Sequence, residues 1–193
     1  MISVLIATHE SERLLVPTLA ALVPGAMAGI VREVIVADGG SRDATAQVAD
    51  VAGCRFVETP APLGARLKAA AALARAPWLL FLRPGVVPDS TWIDETNRFL
   101  QQAELGAAND RGAVFRPTSA TMGDRPMIVE ALGMIAAALG TRPRPEQGLL
   151  ISKQLYEQLG GHGADGSDPE TDLLRRLGRR RIVLLRCGVT QAR

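Results

Sequence analysis

The stretch Glu33-Val34-Ile35-Val36-Ala37-Asp38-Gly39-Gly40-Ser41-Arg42-Asp43-Ala44-Thr45 constrains the fold more than any other part of the chain. Val34 to Ala37 is short, apolar and mostly β-branched, which suits a strand of a parallel sheet covered on both faces. Asp38 stands at its carboxyl end, Gly39 and Gly40 let the chain turn tightly and let a ligand approach the main chain, and Ser41 or Asp43 can cap the helix that follows. In open α/β sheets, ligands bind outside the carboxyl ends of the strands. An ordinary strand-to-helix turn with a capping acid uses the same residue types, so this turn alone leaves both readings open.

The 193 residues suffice for one α/β domain with a full core, and no second domain is expected. A 47% hydrophobic content beside 22% charged residues excludes a disordered chain, and with only 4% aromatics the core must pack small residues. Twenty-two basic against 20 acidic residues leave a net charge of +2, too little field to argue for nucleic acid as a partner. Cys54 and Cys187 lack metal-ligand spacing and read as free thiols of a reducing compartment. The chain opens on a strand-like run without the features of a secretory signal. Its longest apolar stretch, Met127 to Leu139, is interrupted by Glu130 and Gly133 and falls short of the ~20 residues of a membrane span. The expected location is therefore cytoplasmic, the inner membrane face included, with no transmembrane segment.

Taken in order, strand Ile2 to Ala7 ends at the polar turn Thr8-His9-Glu10-Ser11-Glu12, and leucines 15, 19 and 22 mark a helix from Ser11 to Val23 in which Pro17 is tolerable only near the start. Strand Arg32 to Ala37, helix Asp43 to Ala52 and strand Cys54 to Glu58 complete two βαβ crossovers. The loop Thr59 to Gly64 feeds an alanine-rich helix, Ala65 to Ala76, whose first turn carries Arg66 and Lys68. Cations there oppose the helix dipole, so each is either solvated or set near an anionic ligand. Strand Trp78 to Leu82 is continuously apolar and stops at Arg83-Pro84-Gly85. Asp89 reads as the cap of helix Thr91 to Ala103. Beyond lie a strand at Gly112 to Arg116, a loop to Pro126, the helix Met127 to Leu139, a strand at Gln147 to Ile151, helix Ser152 to Leu159, helix Glu170 to Leu177 and a last strand, Ile182 to Leu185. Gly161 to Gly166 spells G-x-G-x-x-G but follows a helix, so it reads as loop chemistry. His9 and His162 read as polar loop residues. The arginines at 175, 176, 179, 180 and 181 read as a solvated face with some capacity to attract lipid phosphates.

Five ordered segments resemble the family-two glycosyltransferases: Ile6 to Glu10, Val36 to Thr45, Gly64 to Ala71, Ala76 to Leu82 and Gln147 to Gly161. The resemblance covers nearly the whole chain. It implies a GT-A fold, a single Rossmann-like α/β domain with a mixed, mostly parallel sheet flanked by helices, divided into a nucleotide-binding half (1–105) and an acceptor-side half (106–193). It further implies that Thr8, Glu10 and Asp38, with Gly39 at the turn, hold the nucleoside of a nucleotide-diphosphate sugar. A carboxylate suits that task, since it accepts hydrogen bonds with charge assistance.

Two places depart from the family pattern. Strand four should end on a D-x-D-like acid that holds Mg²⁺ or Mn²⁺, yet Arg83-Pro84-Gly85 stands there, so no metal ligand carries over from the family and a divalent cation is doubtful. Either Arg83 pairs with the diphosphate, helped by Arg66 or Lys68, or donor handling has been lost and Arg83 is solvated. The acceptor base should sit at the start of a late helix, where Glu170 is found, with Asp168 the competing candidate. Asp168-Pro169-Glu170 is also a good helix start in its own right. The reading is a transferase or, in the alternative, a catalytically silent nucleotide-binding or scaffold protein. Its acceptor stays open, a lipid-linked one included, and a homo-oligomer is compatible with it.

Overall fold

Parallel strands covered on both faces need apolar residues at every position, and the computed structural model, which describes residues 1–106, 110–117, 143–164 and 166–192, places such runs at the centre of one sheet. Among the described residues the strands are β1 (Ile2–Thr8), β2 (Val31–Asp38), β3 (Arg55–Glu58), β4 (Trp78–Leu82), β5 (Val86–Pro88), β6 (Gly112–Pro117), β7 (Leu149–Ser152) and β8 (Ile182–Gln191), in the order β3-β2-β1-β4-β7-β6-β8-β5. The first four are mutually parallel, β7 is antiparallel to β4 and β6, and β5 is antiparallel to β8. Helices α1 (Glu12–Met27), α2 (Thr45–Val51), α3 (Leu63–Leu73), α4 (Trp92–Glu104), α5 (Lys153–Gln158) and α6 (Pro169–Leu177) flank it. This is the mixed, mostly parallel α/β architecture expected. Apart from Pro117, the expected loop to Pro126 and the helix Met127 to Leu139 lie outside the described residues. No described helix is long and apolar enough to cross a membrane.

Alternate side chains of β1 and β4 enter opposite layers, as strand geometry requires. Val4, Ile6, Leu80 and Leu82 join Leu15, Leu19 and Leu22 of α1 and Phe99 of α4 on one face. Leu5, Leu79 and Phe81 join Leu67 of α3, Leu155 of α5 and Leu173 of α6 on the other. The register brings Thr8 beside Asp38, and Asp38 beside Glu58, at one rim. The antiparallel strand β7 starts where β4 ends, with Leu149 opposite Phe81, so the turn before β7 reaches the same rim.

Three elements differ from the sequence expectation. Helix α1 runs through both Pro17 and Pro24, because buried Leu15, Thr18, Leu19 and Leu22 bind both ends to the sheet and outweigh the roughly 3 kcal/mol a mid-helix proline costs. Strand β5 lies within the Arg83 to Asp89 segment; Pro88 is tolerated there because β5 is an edge. Strand β8 continues six residues past Leu185: its pairing with β6 resumes after a register shift at Gly188 and Val189, and its other edge pairs with β5 over Val189 to Gln191. Asp89 accepts bonds from the Thr91 amide (2.8 Å) and hydroxyl (2.7 Å) and from the Gly188 amide (2.5 Å), so it ties the start of α4 to β8 as well as serving the helix.

The lower edge of the sheet is held by a buried serine. The Ser3 hydroxyl donates to Glu33 Oε1 at 2.8 Å and accepts from the Ala76 amide at 3.0 Å, while the Arg75 amide donates to the same Glu33 oxygen at 2.6 Å. Ser3→Ala leaves the buried Ala76 N–H without its acceptor, and a loss of about 1–3 kcal/mol in urea unfolding is expected. A loss below about 0.5 kcal/mol, the ordinary surface value, would show that this link holds nothing.

Candidate functional site

Asp38 ends β2 fully buried, and such a carboxylate must be surrounded by donors. Oδ1 accepts from the Thr8 hydroxyl at 2.7 Å and the Ser41 hydroxyl at 2.6 Å; Oδ2 accepts from the Gly40 amide at 2.8 Å and the Ser41 amide at 2.6 Å. Burial pushes its pKa up, but the bonds from Ser41, Thr8 and Gly40 outweigh this and hold it below the ordinary aspartate value. Exposed Glu10, in a left-handed conformation (φ 48°), accepts from the Arg42 amide at 2.6 Å, while its own amide donates to the Ser41 hydroxyl at 2.8 Å. The Glu12 amide donates to Asp43, and the Ala44 amide donates back to Glu12. The turns after β1 and β2 are thus one cross-bonded surface.

Arg66 crosses beneath this surface from the second turn of α3. Its Nη1 donates to the carbonyls of Thr8 (2.5 Å) and Ala37 (3.2 Å), and its Nε donates to that of Ala61 (3.1 Å). A Cβ on Gly39 would stand 2.9 Å from Nη1, so a side chain there would push the guanidinium aside. Burial lowers the Arg66 pKa while the Asp38 charge opposes that fall. The cation that the dipole rule marks as out of place is therefore bound to carbonyls. Lys68 stands exposed on α3 and makes no hydrogen bond among the described residues.

A second cluster forms at the end of β4. Arg83 donates from Nε (2.8 Å) and Nη2 (2.5 Å) to Glu170 Oε2, and from Nη1 (2.6 Å) to Glu146 Oε1. Burial lowers the Arg83 pKa, but its bond to Glu170 and the charges of Glu170, Glu146 and Asp168 more than reverse this. Asp168 caps α6 by accepting from the Thr171 amide at 3.2 Å; that bond, and then Arg83 and Arg175, keep its pKa below the ordinary value. The two clusters are neighbours. A Cβ on Gly64, two residues before Arg66, would fall 1.8 Å from the Gly163 carbonyl oxygen and 2.9 Å from Pro169 Cβ, so α3 starts in contact with the loop and helix that carry Asp168 and Glu170.

Of the residues expected at the site, the structure joins Thr8, Glu10, Asp38, Gly39 and Arg66 in one network and Arg83, Glu170 and Asp168 in another. Glu146 was not anticipated. Its signal was the polar turn Pro145-Glu146-Gln147-Gly148 ahead of β7, which reaches the rim only because β7 is antiparallel to β4. His162 is not the polar loop residue expected: it is 1% exposed, with Nδ1 2.9 Å from the Tyr156 hydroxyl and its ring centre 4.7 Å from that of Phe81. Burial and the charge of Arg176 push its pKa down to about 4.

The strand end where a metal-holding acid is implied does not fit a metal. A hard divalent cation needs several oxygen ligands, usually carboxylates, whereas both acids at this place are engaged by one guanidinium whose charge opposes a cation. Among the described residues no group of three His, Cys, Asp or Glu side chains is arranged to hold a metal ion.

The lowered Asp38 pKa has a stability consequence. The folded value lies below the unfolded one, so the stabilisation is fully present above ~3.9 and is lost as pH falls through the folded value. Asp38→Asn is expected to lower stability at neutral pH by about 1–3 kcal/mol, and its deficit against the wild type should shrink as pH is lowered from about 5 to about 2 in urea titrations. A deficit that stays constant across that range would refute the lowered value.

The model of the family described as glycosyl transferase family 2 matches residues 3–126. Among curated proteins, none matches the sequence. Among solved structures, glucosyl-3-phosphoglycerate synthase from Mycobacterium tuberculosis, in complex with Mn²⁺, UDP and glucosyl-3-phosphoglycerate, superposes with a TM-score of 0.68 at 19% identity, over 100% of this chain and 72% of that one. The same enzyme with Mn²⁺ and UDP-glucose gives 0.68 at 22% identity, over 100% and 70%. S. aureus TarS 1–349 in complex with UDP-GlcNAc gives 0.72 at 15% identity, over 100% of this chain and 59% of that one, so this chain spans less than two thirds of the TarS fragment. These likenesses fix the fold, and the family match covers most of the strand ends that build the Asp38 network. The chain belongs to glycosyl transferase family 2.

Proposed function

We propose that this family 2 domain transfers a sugar from a nucleoside-diphosphate sugar without a divalent cation. The nucleoside lies over Thr8, Glu10, Asp38 and Gly39, with Arg66 beside it; Arg83 faces the diphosphate; and Glu170 is the base. The observation that carries this reading is the Arg83–Glu170 pair: the cation at the implied metal position bonds the acid at the implied base position. On this reading residues 1–105 supply the donor side and residues 106–193 the acceptor side. The solved neighbours hold UDP or UDP-sugars, which makes uridine the first nucleoside to try.

The reaction so read is an in-line displacement. The acceptor oxygen forms a bond to the anomeric carbon, the bond from that carbon to the diphosphate oxygen breaks, and the configuration inverts. The hydroxyl proton passes to Glu170, and the departing diphosphate keeps the bonding electron pair, its charge met by Arg83. Glu170 Oε2 already accepts two guanidinium N–H bonds, so it takes a proton readily only as Arg83 moves its bonds to the diphosphate. Asp168 is the alternative base, but it is exposed and engaged at the start of α6. A silent nucleotide-binding protein is the second reading, favoured by the same pairing, since both acids that bond Arg83 are engaged by it in the unliganded chain.

UDP, GDP and dTDP, each alone and with a sugar attached, are expected to raise the melting temperature with or without Mn²⁺ and with EDTA present. Asp38→Ala should lose the shift, and Arg83→Ala should reduce it. Glu170→Gln should keep it while slowing sugar transfer or donor hydrolysis by about 10²–10⁴-fold, the usual share of a general base. Binding that requires Mn²⁺ would overturn the metal-independent reading, and binding without hydrolysis or transfer to any acceptor tried would favour the silent one.

A further inference from the structure

Arg83 holds two acids in different ways. Glu170 receives Nε and Nη2 on one oxygen and is only 12% exposed, whereas Glu146 takes a single bond from Nη1 and is 47% exposed. An exposed single-bond pair is weak, and a partly buried two-bond pair resists separation. The turn that presents Glu146 is nevertheless built. Gln147 is buried, donates to the Phe115 carbonyl at 2.7 Å and accepts from the Arg144 amide at 2.8 Å. Gly148 follows with φ 67°, and a Cβ there would meet Leu82 Cδ2 at 2.7 Å, so this backbone lies directly on the end of β4. The Glu146 carbonyl also accepts from the Gln191 side chain at 3.4 Å. Chance surface pairs lack such anchoring.

We infer that Glu146 is a built-in stand-in for a donor phosphate, occupying Arg83 Nη1 until a diphosphate displaces it, and that it thereby sets donor affinity. This rests on the reading of Arg83 given under Proposed function and names the regulation of that site. The charge balance carries it. Two carboxylates on one guanidinium leave the group at a net charge of −1, and Asp168 adds to the negative field at Arg83. An anionic diphosphate therefore meets repulsion unless one acid withdraws. Glu146 withdraws at little cost because water can solvate it, while Glu170 stays attached. A phosphate oxygen then takes Nη1, and one guanidinium spans base and leaving group. Glu146 is on this account a specificity residue: it rejects ligands too weakly charged to displace it.

The test is a double-mutant cycle on the full chain, with dissociation constants for UDP and uridine measured by calorimetry in the wild type, Glu146→Gln, Arg83→Ala and the double variant. Glu146→Gln is expected to tighten UDP about two- to fivefold, the range an exposed ion pair supports, to leave uridine unchanged and to have no effect once Arg83 is alanine. Equal gains with and without Arg83 would mean a general charge effect and would overturn the inference, as would an unchanged or weakened affinity for UDP. The two levels of the argument fail separately. If UDP binds the wild type, is lost in Asp38→Ala and weakens in Arg83→Ala while Glu146→Gln is silent, the stand-in role falls and the function stands. If neither UDP, GDP nor dTDP binds any of these proteins, both fall. Glutamine keeps the shape of the exposed side chain, and an unchanged melting temperature without ligand confirms that the variant folds.

Discussion

The guanidinium of Arg66 is the contact on which the upper rim of this sheet depends. Where parallel strands stop, the ladder stops too, and carbonyl oxygens are left facing the protein interior. The carbonyls of Thr8, Ala37 and Ala61, from three separate segments, converge on this one cation. Buried carbonyl groups must find donors, and a neutral side chain offers too few in one plane. The positive charge also offsets the buried carboxylate of Asp38, which the donors of Thr8, Gly40 and Ser41 alone would leave with an uncompensated charge. Strand ends, turn and acid are thus one electrostatic unit, positioned before any ligand arrives.

Much of that unit was legible in the chain because it is local. Trp78 to Leu82 is apolar at every position and its ends match the observed strand, and the β1 to α3 order follows from apolar runs separated by polar turns. Asp38 was legible as the acid that ends a buried strand ahead of two glycines, although a capping turn calls for the same residue types. The failures share a cause in long-range partners. Strand β5 and the far half of β8 contain proline, glycine and arginine, and only long-range pairing, of the two with each other and of β8 with β6, makes them strands. His162 sits in a glycine-rich stretch that reads as exposed, yet the packing of Phe81 and Tyr156 encloses it. Arg66 was recognised as anomalous by the helix-dipole rule, but its carbonyl partners lie up to 58 residues away in sequence. The division of cations was likewise hidden: Arg66 serves the Asp38 surface and Arg83 the acids, where sequence placed both near one group.

The two clusters also differ in their electrostatic design. Around Asp38, backbone amides and short hydroxyls supply the donors. These are held by the turn itself, so the acid is solvated by dipoles that need not move. Around Arg83 the partners are long side chains on elements distant in sequence, Glu146 ahead of β7 and Glu170 on α6. Such contacts can be exchanged for others of the same charge at little backbone cost. The Asp38 end of the rim is therefore preorganised, and the Arg83 end is exchangeable. A transferase needs both, since recognition gains from rigidity, whereas a charge that develops only as a bond breaks must be met by a group able to follow it.

Arg83, at the strand end where the family resemblance implies a metal-holding acid, is accommodated by the sheet topology. An arginine alone at the end of a central, fully buried strand would be partly desolvated without a partner, and burial does lower its pKa. The neighbouring antiparallel strand β7 begins at that point, and α6 begins in contact with α3, so one acid reaches the guanidinium from each side. A divalent ion would have needed those carboxylates turned toward itself, whereas a guanidinium needs them in its own plane and supplies the donors. The positive charge of this part of the rim is thus covalently fixed at the end of β4, and the two acids are the partners of that charge.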